Sequence, residues 1–213
     1  VDQVESIKNA HLLLAMFNAL QPGVFALSGW DLAGNVTLDP AQVQSLIREG
    51  DTRWIHRGAH DLMGANPAAT ASTSGMPKAR SLYGSLPDQL ADPASFARQL
   101  GRVLAVRKQL GIATGALLEV IEAADPEVLA MVNWTASGLI QLTVLNFSGT
   151  DLVAEIASDH LEPGCAVVDG LDESYRAVVD ADRHLSVPLA AYQGRALVVE
   201  PVAAPSESAP VSG

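Results

Sequence analysis

A loop in the first half of the chain combines arginine and tryptophan side chains in a way suited to binding a hydroxyl-rich ring. Arg53, Trp54 and Arg57 lie close together in the sequence. Guanidinium groups donate hydrogen bonds to hydroxyl oxygens, while an indole packs against the face of a sugar ring. The alternative is a structural role, in which the arginines pair with nearby aspartates. Trp30 has two similar interpretations, because an indole either stacks on a pyranose ring or anchors a loop through burial.

Histidine and aspartate side chains also occur in this loop, but their spacing does not indicate a metal site. His56 and His60 lie near Asp51 and Asp61, and residues of these types bind divalent metals. A four-residue separation brings two side chains together only on a helix, and Gly58 disfavours a helix between them. We therefore expect a surface role for both histidines and no metal or other cofactor. The sequence shows no ligand set for calcium.

Other side chains with chemical potential are interpreted as structural. Ser28 precedes a glycine, but its surroundings lack the Gly-x-Ser-x-Gly turn, so a hydrolase triad is not supported. His11 lies in an apolar stretch and is interpreted as a core or interface residue. Tyr83 and Trp134 are interpreted as packing residues first. No residue of this chain is assigned a catalytic role.

Composition and charge restrict the class of protein. Apolar residues make up 48% of the 213 residues and charged residues 17%, which predicts a globular chain. The net charge of −11 opposes binding to nucleic acid and to anionic membranes. The single cysteine, Cys165, is expected to be a buried thiol. The first residues do not resemble a signal peptide and no apolar run approaches about 18 residues, so we expect a cytoplasmic protein without a membrane partner.

The elements that must position these side chains begin as an α/β pattern. Apolar spacing predicts a helix over residues 3–20, and Val24 to Leu27 reads as a strand buried on both faces. A long loop region from Trp30 to Pro93 contains a short predicted helix from Pro40 to Glu49. A further helix is predicted from Pro93 to Gln109.

After Gly111 the pattern changes to short strands separated by turns, which predicts an antiparallel β-sandwich. The short connections at Thr135–Gly138 and Tyr192–Gly194 are of hairpin length. The predicted strands are Val128 to Trp134, Leu139 to Phe147, Leu152 to Ile156, Ala166 to Asp169, His184 to Ala191 and Arg195 to Glu200. We therefore expect one domain over 1–111, a second over 112–202 and a disordered tail over 203–213.

Three segments closely resemble one enzyme family. The segment from Asn9 to Leu32 resembles the seventh helix and eighth strand of trehalose synthases, which belong to the α-amylase superfamily. The runs Gly50 to Gly58 and Ser81 to Leu90 resemble the same group, and more narrowly its bacterial branch.

Shorter segments downstream resemble this family as well. Arg102 to Arg107 is similar to its eighth barrel helix, and Val144 to Ser148 to the central strand of the C-terminal domain in amylases. Val187 to Leu197 resembles the hairpin with an aromatic-x-Gly motif that ends those domains. The resemblance implies the last helices and eighth strand of a (β/α)₈ barrel, followed by the β-sandwich.

The resemblance also implies an activity and partners. Trehalose synthases interconvert maltose and trehalose by intramolecular glucosyl transfer, with an aspartate nucleophile and a glutamate acid/base. Their carboxylate motifs lie upstream of the matched region, so this chain alone is expected to be inactive. Its expected partners are the missing N-terminal barrel portion of the same protein and the sugars maltose and trehalose, and a homo-oligomer is left open.

In such a barrel Asp31 would follow the eighth strand, at the face where active-site groups gather. It then either lines the sugar pocket or serves as a loop or helix-cap carboxylate. The expected substrate-binding set is Trp30, Asp31, Arg53, Trp54 and Arg57. The alternative function is a noncatalytic carbohydrate-binding or interaction module built on the sandwich, which a row of exposed aromatic residues would mark.

Overall fold

A computed structural model describes residues 3–47 and 50–200 of the chain. The predicted tail over 203–213 lies outside the described residues. The chain forms two compact units, a helical unit of Val1–Ala19 and Val24–Ala105 and a sheet unit of Leu20–Gly23 and Val106–Gly213. No helix in the described ranges combines the length and the apolar character needed to cross a membrane.

Two long helices dominate the helical part of the sequence. Helix α1 spans Gln3–Ala19 and buries Leu13 and Met16. Helix α4 spans Phe96–Leu110 and begins after Ser95, whose hydroxyl accepts a hydrogen bond from the backbone N–H of Arg98. Burial of Phe96 and Leu100 against α1 follows from their spacing on one helix face. The predicted helices near both ranges are thus present.

The segment predicted as a buried strand, Val24 to Leu27, forms no strand in the described helical unit. A strand requires a hydrogen-bonded neighbour, and no described strand lies in this unit to provide one. Phe25 and Leu27 pack on the Phe96 cluster, whereas Val24 is 97% exposed. The prediction of burial on both faces is therefore wrong for these residues in this structure.

The long region after this segment contains short helices. Helix α2 spans Gly29–Leu32 and helix α3 spans Leu86–Ala91. Single 3₁₀ turns form at Pro40–Val43 and Thr52–His56. The helix predicted from Pro40 to Glu49 is shorter than expected, and Glu49 itself lies outside the described residues. The other short helices were not predicted, because apolar periodicity needs more residues than they contain.

The sheet unit contains the predicted antiparallel structure. The strands are β1 (Ala116–Ile121), β2 (Val128–Trp134), β3 (Ile140–Asn146), β4 (Leu152–Ala157), β5 (Ala166–Asp169), β6 (Arg176–Val178), β7 (His184–Leu189) and β8 (Gly194–Val199). Six of these strands pair in the order β1-β2-β3-β8-β5-β6, and β4 pairs with β7 in a second sheet. The core lies between side chains of both sheets, including Val144, Ile156 and Val187. Strands β1 and β6 are additions to the prediction.

The two connections of hairpin length have different outcomes. Strands β2 and β3 pair across the Thr135–Gly138 connection, as predicted. The prediction for Tyr192–Gly194 is wrong, because β7 pairs with β4 while β8 pairs with β3 and β5. This connection therefore passes from one sheet to the other. The side chain of Asn146 helps to fix the crossing by donating hydrogen bonds to the carbonyls of Ala190 and Thr150, both at 2.9 Å.

A four-residue segment from early in the sequence is part of the sheet unit. The side-chain amide of Asn133 donates to the carbonyl of Leu20 at 3.0 Å, and the backbone N–H of Gly23 donates to the carbonyl of Ala113 at 2.9 Å. Arg107 donates to the carbonyls of Gln21, at 2.6 Å, and Gly23. These bonds hold the Leu20–Gly23 segment on residues of the sheet unit.

Candidate functional site

The carboxylate of Asp31 on helix α2 is held in place by hydrogen bonds to the residue that caps the helix. Ser28 is the N-cap, and its hydroxyl accepts a hydrogen bond from the backbone N–H of Asp31. One carboxylate oxygen of Asp31, Oδ2, accepts from the Ser28 hydroxyl at 2.7 Å and from its backbone N–H at 3.1 Å. The other oxygen, Oδ1, lies 3.9 Å from Nε2 of His11 on helix α1. Asp31 is therefore a capping carboxylate with one oxygen turned toward His11.

His11 connects this carboxylate to a buried aromatic stack. Its Nδ1 lies 3.0 Å from the hydroxyl of Tyr83, and its ring stacks on Phe96 with centroids 4.5 Å apart. The rings of Tyr83 and Phe96 also stack, at 5.1 Å. A proton on Nε2 of His11 would face Asp31 and leave Nδ1 to accept from the Tyr83 hydroxyl, so this tautomer is electrostatically favoured.

Burial keeps both ring groups neutral near pH 7. Desolvation lowers the pKa of His11 below its ordinary value, and the charge of Asp31 opposes this shift only partly. Burial and the nearby Asp31 carboxylate raise the pKa of Tyr83 to about 12. The network thus holds one negative charge, on Asp31, next to two neutral hydrogen-bonding groups.

These residues line a small cavity in the helical unit. Its volume is about 150 Å³, and its walls combine aromatic, amide and carboxylate groups. Gly34 permits the close approach of the aromatic wall, because a Cβ atom there would lie 2.6 Å from the Tyr83 ring. The lining residues are Ile7, His11, Trp30, Asp31, Gly34, Asn35, Leu82 and Tyr83.

Trp30 is packed in the loop and also lines the cavity. Part of its indole packs on the small core formed by Leu38, Val43 and Ala79, with Gly58 leaving room for it. Another part lines the cavity beside Asp31. The ring is thus held by loop packing and partly available at the cavity wall.

The arginine and tryptophan side chains of the Thr52–His56 turn do not line this cavity. Arg53 binds Asp51 through two hydrogen bonds of 2.7 Å, and this interaction lowers the pKa of Asp51 to about 2. The guanidinium of Arg57 lies over the Trp54 ring, 5.5 Å from its centroid. The structure thus brings Trp30 and Asp31 together with His11 and Tyr83. Arg53 and Arg57 are exposed outside the cavity, whereas Trp54 is half-buried and packs on the same Leu38 cluster as Trp30.

An amide group beside the cavity has no protein partner in the described structure. Nδ2 of Asn35 is buried and makes no hydrogen bond among the described residues. Asn35 lines both the small cavity and a neighbouring cavity of about 510 Å³ that also contains Asp61, Lys78 and Asp88. An unpaired buried donor costs about 1–3 kcal/mol, so this amide favours a ligand or water that accepts its hydrogen bond.

Sequence reasoning missed His11, Tyr83 and Asn35 as site residues. No local spacing joins them, because His11 and Tyr83 are brought together by the packing of α1 on Phe96. The described residues contain no group of three or more metal-binding side chains.

Comparison with known proteins gives a fold. No known family profile matches the sequence, and no curated protein matches it. Among solved structures, a variant of trehalose-6-phosphate hydrolase from Bacillus licheniformis is similar over 93% of this chain, with a TM-score of 0.66 and 17% identity. The trehalulose synthase MutB covers 90% of the chain, with a TM-score of 0.60 and 16% identity. Isomaltulose synthase from Erwinia rhapontici covers 91%, with a TM-score of 0.61 and 13% identity.

In each case the match uses only part of the relative. This chain spans 39% of the trehalose-6-phosphate hydrolase and 38% of each of the two synthases. At identities of 13–17% these likenesses show a shared fold, so the chain has the fold of a part of each of these enzymes.

Proposed function

We propose that the chain is the C-terminal portion of a trehalose synthase, which converts maltose to trehalose by intramolecular glucosyl transfer. The observation that carries the proposal is the position of Asp31 and Trp30 on one cavity wall, in the segment that resembles trehalose synthases. The fold shared with trehalulose and isomaltulose synthases supports a carbohydrate-active parent enzyme.

In this proposal the chain contributes pocket lining rather than the reacting carboxylates. The free oxygen of Asp31 accepts a hydrogen bond from a sugar hydroxyl, and Trp30 packs against a ring face. His11 faces the carboxylate, and Tyr83 is hydrogen-bonded to the His11 ring on that side of the pocket. Arg53, Trp54 and Arg57 form a second contact set outside this cavity.

The chemistry requires partners from the upstream part of the protein. A retaining transfer uses a nucleophilic carboxylate and an acid/base carboxylate on opposite sides of the scissile bond. Water must be excluded while the freed glucose turns, because water attack on the glucosyl-enzyme would give free glucose. The chain alone is therefore proposed to be inactive.

The segment from Val24 to Leu27, which forms no strand in this structure, supports the proposal that an upstream part of the protein completes the barrel. Val24 is almost fully exposed, and helix α1 leaves Ile7 and Leu14 exposed as well. A barrel strand normally hydrogen-bonds to neighbours on both sides. We propose that the upstream barrel portion supplies these neighbours and covers the apolar side chains.

The test compares the chain alone with a chimaera that joins it behind the N-terminal barrel portion of a trehalose synthase. Each protein is incubated with maltose, and trehalose and glucose are quantified. We expect trehalose only from the chimaera. A second chimaera, carrying the corresponding part of a trehalose-6-phosphate hydrolase, measures the background of the barrel portion.

Variants of the first chimaera test the site itself. Asp31→Asn and Trp30→Ala are expected to lower kcat/KM for maltose by about tenfold or more, since each removes a contact to buried sugar. Asp39→Asn is the matched control, because Asp39 caps the Pro40–Val43 turn outside the cavity. Trehalose from the chain alone, or full activity of the Asp31→Asn chimaera, would contradict the proposal.

A further inference from the structure

The sheet unit carries a second cavity whose lining has the chemistry of a sugar site. Its volume is about 200 Å³, and the side chains around it include Trp134, Leu139, Ile140, His160, Glu162 and Val199. We propose that this cavity binds one neutral pyranose ring, such as the terminal glucosyl unit of a saccharide. The inference goes beyond the proposed function and shares no residue with the cavity at Asp31.

The aromatic wall is the indole of Trp134, at the end of strand β2. Trp134 pairs with Ile140 across β2 and β3, and Ile140 pairs with Val199 across β3 and β8. Residues directly opposite one another in an antiparallel sheet have side chains on the same face. The indole, which is 47% exposed, therefore extends an apolar surface that continues into the core. A pyranose presents a face of C–H groups that packs on such a surface.

The turn that carries this wall is internally bonded. The backbone N–H of Thr135 donates to the carbonyl of Leu139 at 3.0 Å, and the N–H of Leu139 donates to the Thr135 hydroxyl at 3.1 Å. Gly138 provides the left-handed backbone, with φ of +81°, that closes the turn. A preformed wall lowers the entropy that a weak ligand must overcome.

The polar wall comes from the connection between β4 and β5. Leu161 is fully buried and anchors this connection in the core, while His160 and Glu162 on either side of it are exposed. The connection is further held by the N–H of His160, which donates to the Ser158 hydroxyl at 3.1 Å, and by the N–H of Cys165, which donates to the carbonyl of Glu162 at 3.2 Å. A carboxylate and an imidazole thus line the same cavity as the indole and offer hydrogen-bonding groups for hydroxyls.

Size and charge narrow the ligand class. Pockets for drug-sized ligands have volumes of about 300–1,000 Å³, so a cavity of this volume suits one ring. The Glu162 carboxylate in the lining and the net charge of −11 disfavour phosphorylated or acidic sugars. A neutral hexopyranose has a C–H face for the apolar wall, hydroxyl groups for the polar wall and no negative charge to be repelled.

The test uses ¹H–¹⁵N NMR spectra of the 213-residue chain titrated with maltose. Its three indole N–H resonances, from Trp30, Trp54 and Trp134, are assigned from Trp30→Phe and Trp54→Phe variants. We expect a saturable shift of the Trp134 resonance with a Kd in the millimolar range, and no such shift with glycerol at the same molarity. A Trp134 resonance that does not respond, or that responds equally to glycerol, overturns the inference.

Variants separate binding at the cavity from effects elsewhere on the sheet. Trp134→Ala is expected to weaken maltose binding by at least about tenfold, followed at the Gly138 amide, whereas Trp134→Phe retains most of the affinity. Glu162→Ala provides an independent test should Trp134→Ala unfold the sheet, because Glu162 is exposed. Val120→Ala is the control, since Val120 is an exposed apolar residue outside the cavity.

Unchanged affinity of a folded Trp134→Ala or Glu162→Ala chain contradicts the site. The result is independent of the trehalose assay, because the titration needs no upstream barrel portion and monitors the Trp30 resonance separately. Loss of trehalose formation with a responsive Trp134 resonance refutes the proposed function alone. Trehalose formation by the chimaera, together with a Trp134 resonance that does not shift with maltose, refutes only the inference that this cavity binds a sugar.

Discussion

The hydroxyl of Tyr83 lies 3.0 Å from Nδ1 of His11, so one hydrogen bond joins residues 72 positions apart in the sequence beside the Asp31 carboxylate. The other ring nitrogen of His11 faces Asp31 at 3.9 Å. The proton state of one imidazole therefore affects both its packing on Phe96 and the charge presented to the cavity.

This arrangement predicts that the stability of the helical unit falls in mild acid. Burial lowers the pKa of His11 in the folded state, whereas the unfolded chain has the ordinary value of 6.5. Unfolding is then favoured by protonation, so the contribution is complete above pH 6.5 and is lost as the pH falls through the folded pKa. Urea unfolding between about pH 8 and pH 5 should show a decrease that His11→Phe reduces. The control, His56→Gln at an exposed site, should leave the pH dependence unchanged.

The cap and the cavity carboxylate at α2 are separable. Ser28→Ala removes the cap but keeps the Asp31 carboxylate, so we expect a loss of about 1 kcal/mol in the free energy of unfolding. In the chimaera, this variant should retain its KM for maltose. Asp31→Asn should raise KM or lower kcat in the chimaera, while its loss in the free energy of unfolding should be similar to that of Ser28→Ala. Equal kinetic effects of the two changes would show that Asp31 acts only as a cap.

Gly34 is expected to be intolerant of any side chain. Its φ is +59°, and a Cβ atom would lie 2.6 Å from the Tyr83 ring. Gly84 has φ of +79° with open space around it, so it isolates the backbone contribution. We expect Gly84→Ala to cost about 1–2 kcal/mol and Gly34→Ala clearly more, measured by denaturant unfolding. Equal costs would argue against the close contact with Tyr83.

A buried ion pair should dominate side-chain electrostatics in the sheet unit. Arg195 donates to Asp169 at 2.9 Å, with side chains only 10% and 2% exposed, and its guanidinium lies 3.9 Å from the Tyr175 centroid. Asp169→Ala leaves the arginine charge buried, which should cost about 3–5 kcal/mol. Arg176→Ala, at the exposed pair with Glu200, should cost less than about 1 kcal/mol. Similar costs measured by thermal unfolding would contradict the burial.

The pair of Asp51 and Arg53 can be followed by titration. Hydrogen bonds from Arg53 lower the pKa of Asp51 to about 2, so Arg53→Met should raise it toward the ordinary 3.8. Arg57→Met should raise it less, because Arg57 acts only through its charge. Carboxyl chemical shifts followed by NMR measure both values. An unchanged pKa of Asp51 in Arg53→Met would show that Arg53 does not pair with Asp51, which would favour the sugar contacts expected from the sequence.

The parts of the fold with regular periodicity were predictable from the sequence. Strands β2 and β3 alternate or run apolar over seven residues each, and their turn is closed by Gly138. Strand β1 could not be predicted in this way. Its apolar residues Leu117, Leu118 and Val120 are exposed on both of its sides, and a bulge interrupts its register. Its pattern therefore matches neither a half-buried nor a fully buried strand.

Only the residues of the candidate site that are neighbours in the sequence could be predicted. Trp30 and Asp31 stand out as an aromatic and an acid after a short apolar run, but the sequence does not show that His11 and Tyr83 complete the wall. Their contact depends on Phe96, which stacks on both rings from a third segment. Such long-range packing leaves no signal in the spacing of any one segment.

The assignment of Leu20–Gly23 to the sheet unit makes the two units topologically inseparable by a single cut. Each unit is built from two pieces of chain, and the early piece of the sheet unit lies in sequence between the two pieces of the helical unit. A cut after Ala105 falls inside helix α4 and separates Leu20–Gly23 from their partners Arg107 and Asn133. A truncation at this boundary therefore breaks a helix as well as the hydrogen bonds that hold Leu20–Gly23.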